Sequence, residues 1–231
     1  MNDRTPSPAS SPARPPGPLP WLVVGVGLAI AYAPMSLPPL GRAAGLSPGV
    51  DGPASSIVWN ALAVTGLLAH VLVVERRPLA SLGISRPRAK DLEWAMYLFG
   101  IAMTWQWVVL TLWPPPADDG TATLTAQPVA VVLALVVSAA VFEEILCRGY
   151  PIERLSELTG RRTIAFALTV PLFVAPHVAF FGLPWLWTAG AGTVAIYVLY
   201  AITRNLPACM LLHLGVNLPI LIPTIGQRLA G

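Results

Sequence analysis

Glu143 and Glu144 close a long apolar run that includes Val129-Ala130-Val131-Val132-Leu133-Ala134-Leu135-Val136-Val137, and Arg148 follows four residues after the second of them. A charged side chain in hydrocarbon costs roughly 2.5–3.5 kcal/mol on insertion scales, so each one found in such a setting is a candidate for function. Consecutive helical residues point in different directions, so the two carboxylates cannot share one role. Glu144 and Arg148 fall on one face and pair with each other. Glu143 is left without an intrahelical cation, as suits a general base acting on water.

Two further pairs carry chemistry at the same four-residue spacing. Phe173 precedes His177, and His213 precedes Asn217 on a later apolar segment. His213 and Asn217 share a helix face and offer two neutral donors for a developing oxyanion. The same residues also permit a metal reading. Glu143, His177 and His213 would supply a His₂Glu set for zinc, although no H-E-x-x-H pattern is present. Residue types alone leave both open. Cys147 and Cys209 lie four residues from Glu143 and His213; they are read as small apolar fillers, with a disulfide disfavoured near a cytoplasmic surface. His70 has no partner at useful spacing and is expected to pack or to bond a neighbouring helix.

The elements that must position these groups follow from the scarcity of charge. The 231 residues contain 14 Lys and Arg against 11 Asp and Glu, 11% in all, with 55% hydrophobic residues; an ordinary soluble domain carries about 25% charged residues. The mean hydropathy is +0.67. Charge-free stretches run over 15–41, 52–74, 94–117, 120–142, 163–203 and 205–227, and a spanning helix needs about 20 apolar residues. With the longest stretch broken at Gly182-Leu183-Pro184, this predicts an all-α bundle of about seven membrane helices near 21–40, 56–74, 94–113, 126–158, 163–181, 184–203 and 205–226. Continuous rather than alternating apolar runs exclude a β-barrel. If the fourth and fifth helices turn at Gly160, Glu143 and His177 are each 17 residues from the turn and face each other, about 25 Å from it.

Residues 1–20 form a Pro-rich cytoplasmic tail ahead of a membrane domain over 21–231, with Pro38-Pro39 read as a helix stop. Residues 78–91 are expected at the membrane interface. Tryptophans such as Trp21, Trp94, Trp113, Trp185 and Trp187 fall at span ends and read as an aromatic belt. Seven spans place Arg4, Arg14, Arg76, Arg77, Arg86, Arg88, Lys90, Arg148, Arg154, Arg161, Arg162 and Arg204 on one side, and Arg42 and Arg228 with Asp118 and Asp119 on the other. By the positive-inside tendency the N-terminus is cytoplasmic and the C-terminus outside. The net charge of +3 is explained by that sorting, and no nucleic-acid partner is expected. No phosphate-binding glycine pattern and no internal repeat is present.

Glu143-Glu144-x-x-x-Arg148, Phe173-x-x-x-His177 and His213-x-x-x-Asn217, in this order on three late apolar helices, resemble the CPBP family of intramembrane proteases (CAAX protease and bacteriocin-processing, also called Abi or type II CAAX prenyl endopeptidase) over about 129–220. The resemblance implies an integral protein of a bacterial cell membrane that hydrolyses peptide bonds in membrane-associated proteins or peptides. Glu143 and His177 would activate water, His213 and Asn217 would form the oxyanion hole, and Glu144, Arg148 and Phe173 would organise the site. Such proteins have been described both as metalloproteases and as glutamate-dependent, so zinc stays open. The alternative is a non-catalytic scaffold or bacteriocin-immunity protein, or a proton-coupled transporter. A transporter usually has repeated halves with broken helices in matching places, and none is found.

Overall fold

The structure, a computed structural model, describes residues 20–43, 45, 52–117 and 119–229, without the side chains of 36–43, 119 and 227–229. The Pro-rich tail up to residue 19, the side chains of Arg42 and Arg228, and both Asp118 and the Asp119 side chain therefore lie outside the described residues.

The chain folds as α1 Trp21–Ala43, α2 Ser55–Ala69, α3 Ala89–Leu112, α4 Asp119–Thr125, α5 Val129–Glu143, α6 Tyr150–Thr159, α7 Arg162–Phe181, α8 Gly190–Thr203, α9 Leu206–Asn217 and α10 Leu221–Leu229. No strand occurs among the described residues. A π-helical turn, Glu144–Gly149, joins α5 to α6, and another, His70–Val74, extends α2. Six of the resulting rods are long and apolar enough to cross a membrane: Ser55–Val74, Ala89–Leu112, Val129–Thr159, Arg162–Phe181, Leu183–Thr203 and Leu206–Gly226; Trp21–Met35 is a shorter apolar helix. The protein is a helical membrane bundle.

Boundaries depart from the charge gaps where capping decides them. The third span begins at Ala89 because Arg88 is extended and the Asp91 carboxylate accepts its backbone N–H at 2.9 Å, closing the first turn. Charged residues are tolerated in a first turn that meets water. The helix α1 does not stop at Pro38-Pro39 but runs to Ala43. A proline removes a donor yet itself accepts helical φ, so the turn continues at the cost of unfilled carbonyls.

The rod α5–π turn–α6 occupies the middle of the bundle. It packs against α1 and α2 on one side and α9 and α7 on the others, while α3 covers α8 and α9. The π turn has a local cause. Pro151 offers no N–H, and its ring would strike the carbonyl of Cys147 four residues back in a regular helix. The wider turn relieves this, with Tyr150 N–H donating to Ile145, five residues earlier. Gly149, in the same turn, faces crowded neighbours: a Cβ there would lie 2.8 Å from Leu206 Cδ2 and 3.1 Å from the Leu82 carbonyl. Close approach of this kind is how membrane helices gain packing and hydrogen bonds without a solvent-driven term.

One end of the bundle is fastened by buried ions. Arg154, fully buried, donates twice to Glu75 Oε2 (Nε at 2.8 Å, Nη2 at 2.6 Å) and to Ser81 Oγ at 2.8 Å. Tyr150 donates to Glu75 at 2.8 Å, Tyr200 to Glu153 at 2.9 Å, and Arg77 to Glu157 at 2.5 Å. Arg204 also pairs with Glu153, whose hydrogen bond holds the guanidinium's pKa above its usual value. These pairs tie the segments after α2 and α8 to α6 at one end. The connecting segment over 78–91 does not merely lie on the interface, because Leu82 is fully buried and the Gly83 carbonyl, at φ 76°, accepts the first N–H of α9 at 2.9 Å.

Candidate active site

The turn at Gly160, left-handed at φ 67°, reverses α6 into α7. Glu143 Oε2 consequently lies 4.0 Å from His177 Nε2, the pairing that equal distances from residue 160 predict. The third histidine-bearing helix closes the group: Glu143 Oε2 is 3.9 Å from His213 Nε2. One carboxylate oxygen thus faces two imidazole nitrogens across gaps wide enough for a shared small molecule. Glu143 and His177 keep 22% and 23% of their side-chain surface open, whereas Glu144 and Arg148 have none.

The other ring nitrogen of each histidine is engaged. His177 Nδ1 lies 2.7 Å from the Phe173 carbonyl, to which it donates, so that in the neutral ring Nε2 is the unprotonated nitrogen facing Glu143. Pro171 and Pro176 interrupt the hydrogen-bond ladder of α7 on either side of that carbonyl. The imidazole is held flat between Phe173 (centroids 4.4 Å apart) and Trp185 (4.8 Å). Trp185 therefore does not belong to an aromatic belt. The reversal at Gly182 and the 3₁₀ turn Leu183–Leu186 fold it inward to 8% exposure.

His213 differs from expectation in its partner. Its Nδ1 lies 2.7 Å from Glu144 Oε1, and the same oxygen takes Arg148 Nη1. With Nδ1–H given to a carboxylate, a neutral His213 presents a lone pair at Nε2; only the imidazolium donates there. The expectation of a neutral donor is corrected accordingly. Asn217 ends α9, and its carboxamide makes no hydrogen bond among the described residues. Arg148 pairs with Glu144 as their four-residue spacing predicts and is fully buried, its guanidinium 4.5 Å from the Phe173 centroid and 4.2 Å from that of Tyr197. Cys147 and Cys209 are buried free thiols. His70 bonds the Val23 carbonyl of α1 at 3.0 Å, as an interhelical link.

The sequence reading missed Trp185, Tyr197 and the link between Glu144 and His213. Polar hydroxyls at Tyr197 and Tyr200 within an otherwise apolar helix were the available signal.

Among the described residues no group of three or more His, Cys, Asp or Glu side chains is arranged to hold a metal ion. Ligands about 2.1 Å from a tetrahedral zinc stand about 3.4 Å apart, and Glu143 Oε2 is farther than that from both Nε2 atoms. The residues as placed do not fit the ion.

The helical membrane bundle thus holds a partly open carboxylate between two histidines, backed by a buried ion pair. Residues 125–219, which contain every one of these groups, match the family model described as type II CAAX prenyl endopeptidase Rce1-like. The match covers 95 of the 231 residues, and over that stretch the chain is similar to a family of membrane endopeptidases. Neither the curated proteins nor the solved structures gave a match.

Proposed function

We propose that the protein hydrolyses peptide bonds of membrane-associated proteins or peptides by Glu143-assisted attack of water. The observation that carries this reading is the convergence of His177 Nε2 and His213 Nε2 on Glu143 Oε2 at 4.0 and 3.9 Å. A water in that gap donates one hydrogen to Glu143 and the other to the unprotonated Nε2 of His177. Glu143 takes the proton as the oxygen attacks the scissile carbonyl. The oxyanion so formed accepts from the imidazolium Nε2–H of His213 and from the Asn217 carboxamide. Glu143 then passes its proton to the leaving nitrogen as the C–N bond breaks, which restores the carboxylate.

Glu144 has a separate task. Its Oε1 accepts from His213 Nδ1 and so fixes the ring, and Arg148 balances the buried charge. No step runs through a metal. The position of the basic loops at the fastened end supports a cytoplasmic N-terminus by the positive-inside tendency.

The test in cells compares membrane proteomes with the wild-type and the Glu143→Ala protein present at equal level. A fragment that depends on Glu143 is expected. If the two proteomes match while the cell phenotype survives the substitution, a scaffold or immunity role replaces proteolysis.

A further inference from the structure

Arg148 is the least conventionally held charge in the molecule. A guanidinium has five N–H donors, yet only Nη1 has an acceptor, the Glu144 carboxylate; Nε and Nη2 are buried with no partner among the described residues. Hydrogen bonds therefore do not fix its orientation. Two aromatic faces do: Cζ lies 4.5 Å from the Phe173 centroid on α7 and 4.2 Å from the Tyr197 centroid on α8.

Tyr197 is itself rigidly placed. Its ring meets Phe166 edge-on at 5.9 Å and Phe173 at 6.2 Å, and its hydroxyl donates to the Thr169 carbonyl at 3.3 Å. It is 6% exposed, and Thr169 is fully buried.

We infer that Tyr197 is a positioning residue for the proposed hydrolysis, acting through Arg148. The ring face holds the guanidinium, the guanidinium holds Glu144 Oε1, and that oxygen holds His213 Nδ1–H so that Nε2 faces Glu143. A desolvated cation over an aromatic face is attracted by the ring quadrupole, and in this site the ring supplies what missing acceptors do not. The hydroxyl only anchors the ring. The inference rests on the reading of the site as a hydrolase centre.

The test uses the full-length purified protein with Tyr197→Phe, which keeps the ring, and Tyr197→Leu, which removes it. Cleavage of a membrane-tethered peptide is expected to keep at least a third of wild-type kcat in the phenylalanine variant and to fall at least tenfold in the leucine variant, with KM within twofold of wild type. In an Arg148→Met background Tyr197→Leu should cause no further loss, since coupled sites are not additive. Wild-type kcat in Tyr197→Leu, or an equal fall in both backgrounds, overturns the inference. Should the leucine variant not fold, Tyr197→Met takes its place with the same expectations. A second readout does not need activity: the low-field proton of His213 Nδ1 bonded to carboxylate, seen by NMR of imidazole-labelled protein, should persist in Tyr197→Phe and vanish in Tyr197→Leu. Its persistence in Tyr197→Leu overturns the inference. A wild-type protein that shows the proton yet cleaves nothing overturns the hydrolase reading alone.

Discussion

Replacing Glu144 by glutamine separates charge from geometry at the point where the site depends on both. Oε1 accepts from His213 Nδ1 at 2.7 Å and from Arg148 Nη1, whereas Oε2 is buried without a partner. A glutamine can put its carbonyl oxygen where Oε1 stands and its NH₂ where Oε2 stands, and so retain both hydrogen bonds without the charge. The gross attraction of a carboxylate for an imidazolium at that distance is on the order of 6 kcal/mol at an effective dielectric of about 20. Arg148 on the same oxygen cancels much of it. What remains is the loss of one charged oxyanion donor, about 10²–10³ in kcat. Either substitution leaves the buried Arg148 guanidinium without its counter-charge, and about 3–5 kcal/mol of stability should go with it; Glu144→Ala also removes both hydrogen bonds. Both variants are assayed for cleavage of a membrane-tethered peptide and for thermal unfolding in the same detergent. Both should impair catalysis and lower the unfolding temperature, alanine by more because it loses the hydrogen bonds as well as the charge. A Glu144→Gln protein that cleaves within threefold of wild type would refute the role given to its charge.

Three further outcomes follow. Asn217→Ala should lower kcat by about 10²-fold with KM nearly unchanged, as removal of an oxyanion donor does; an effect confined to KM would assign it to substrate binding. Arg154→Met should destabilise the fold by about 3–5 kcal/mol, because Glu75 is left buried and uncompensated, while the intact fraction keeps its activity; unchanged thermal unfolding would show the network to be dispensable. Extensive chelation, followed by metal analysis of the purified protein, should leave activity intact without stoichiometric zinc. Activity lost on chelation and restored by zinc would instead make Glu143, His177 and His213 ligands.

Much of the architecture was legible because charge is so scarce. Gaps between charges mark the rods, and Gly160 sets the register that brings Glu143 opposite His177. The three motif pairs stood out for the same reason, as nearly the only ionisable groups in apolar segments. Helix rotation was less accessible. Segments apolar all round carry no periodicity that tells an inward face from a lipid face, so Trp185 looked like a belt residue. The bond between Glu144 and His213 spans 69 residues and is set by how α9 leans on the π turn, which local spacing does not encode. The turn itself was foreshadowed by Pro151, and the burial of Glu75, Glu153 and Arg154 became visible only once the rods were packed.

The central claim, that Glu143 is the base that activates water beside His177, is tested most directly with the purified protein reconstituted in liposomes with a membrane-tethered peptide and the isosteric Glu143→Gln substitution. The account predicts a folded protein that binds the peptide with near-normal affinity and shows no detectable cleavage, whereas the wild type cleaves it. A folded Glu143→Gln protein that cleaves at close to the wild-type rate would contradict it.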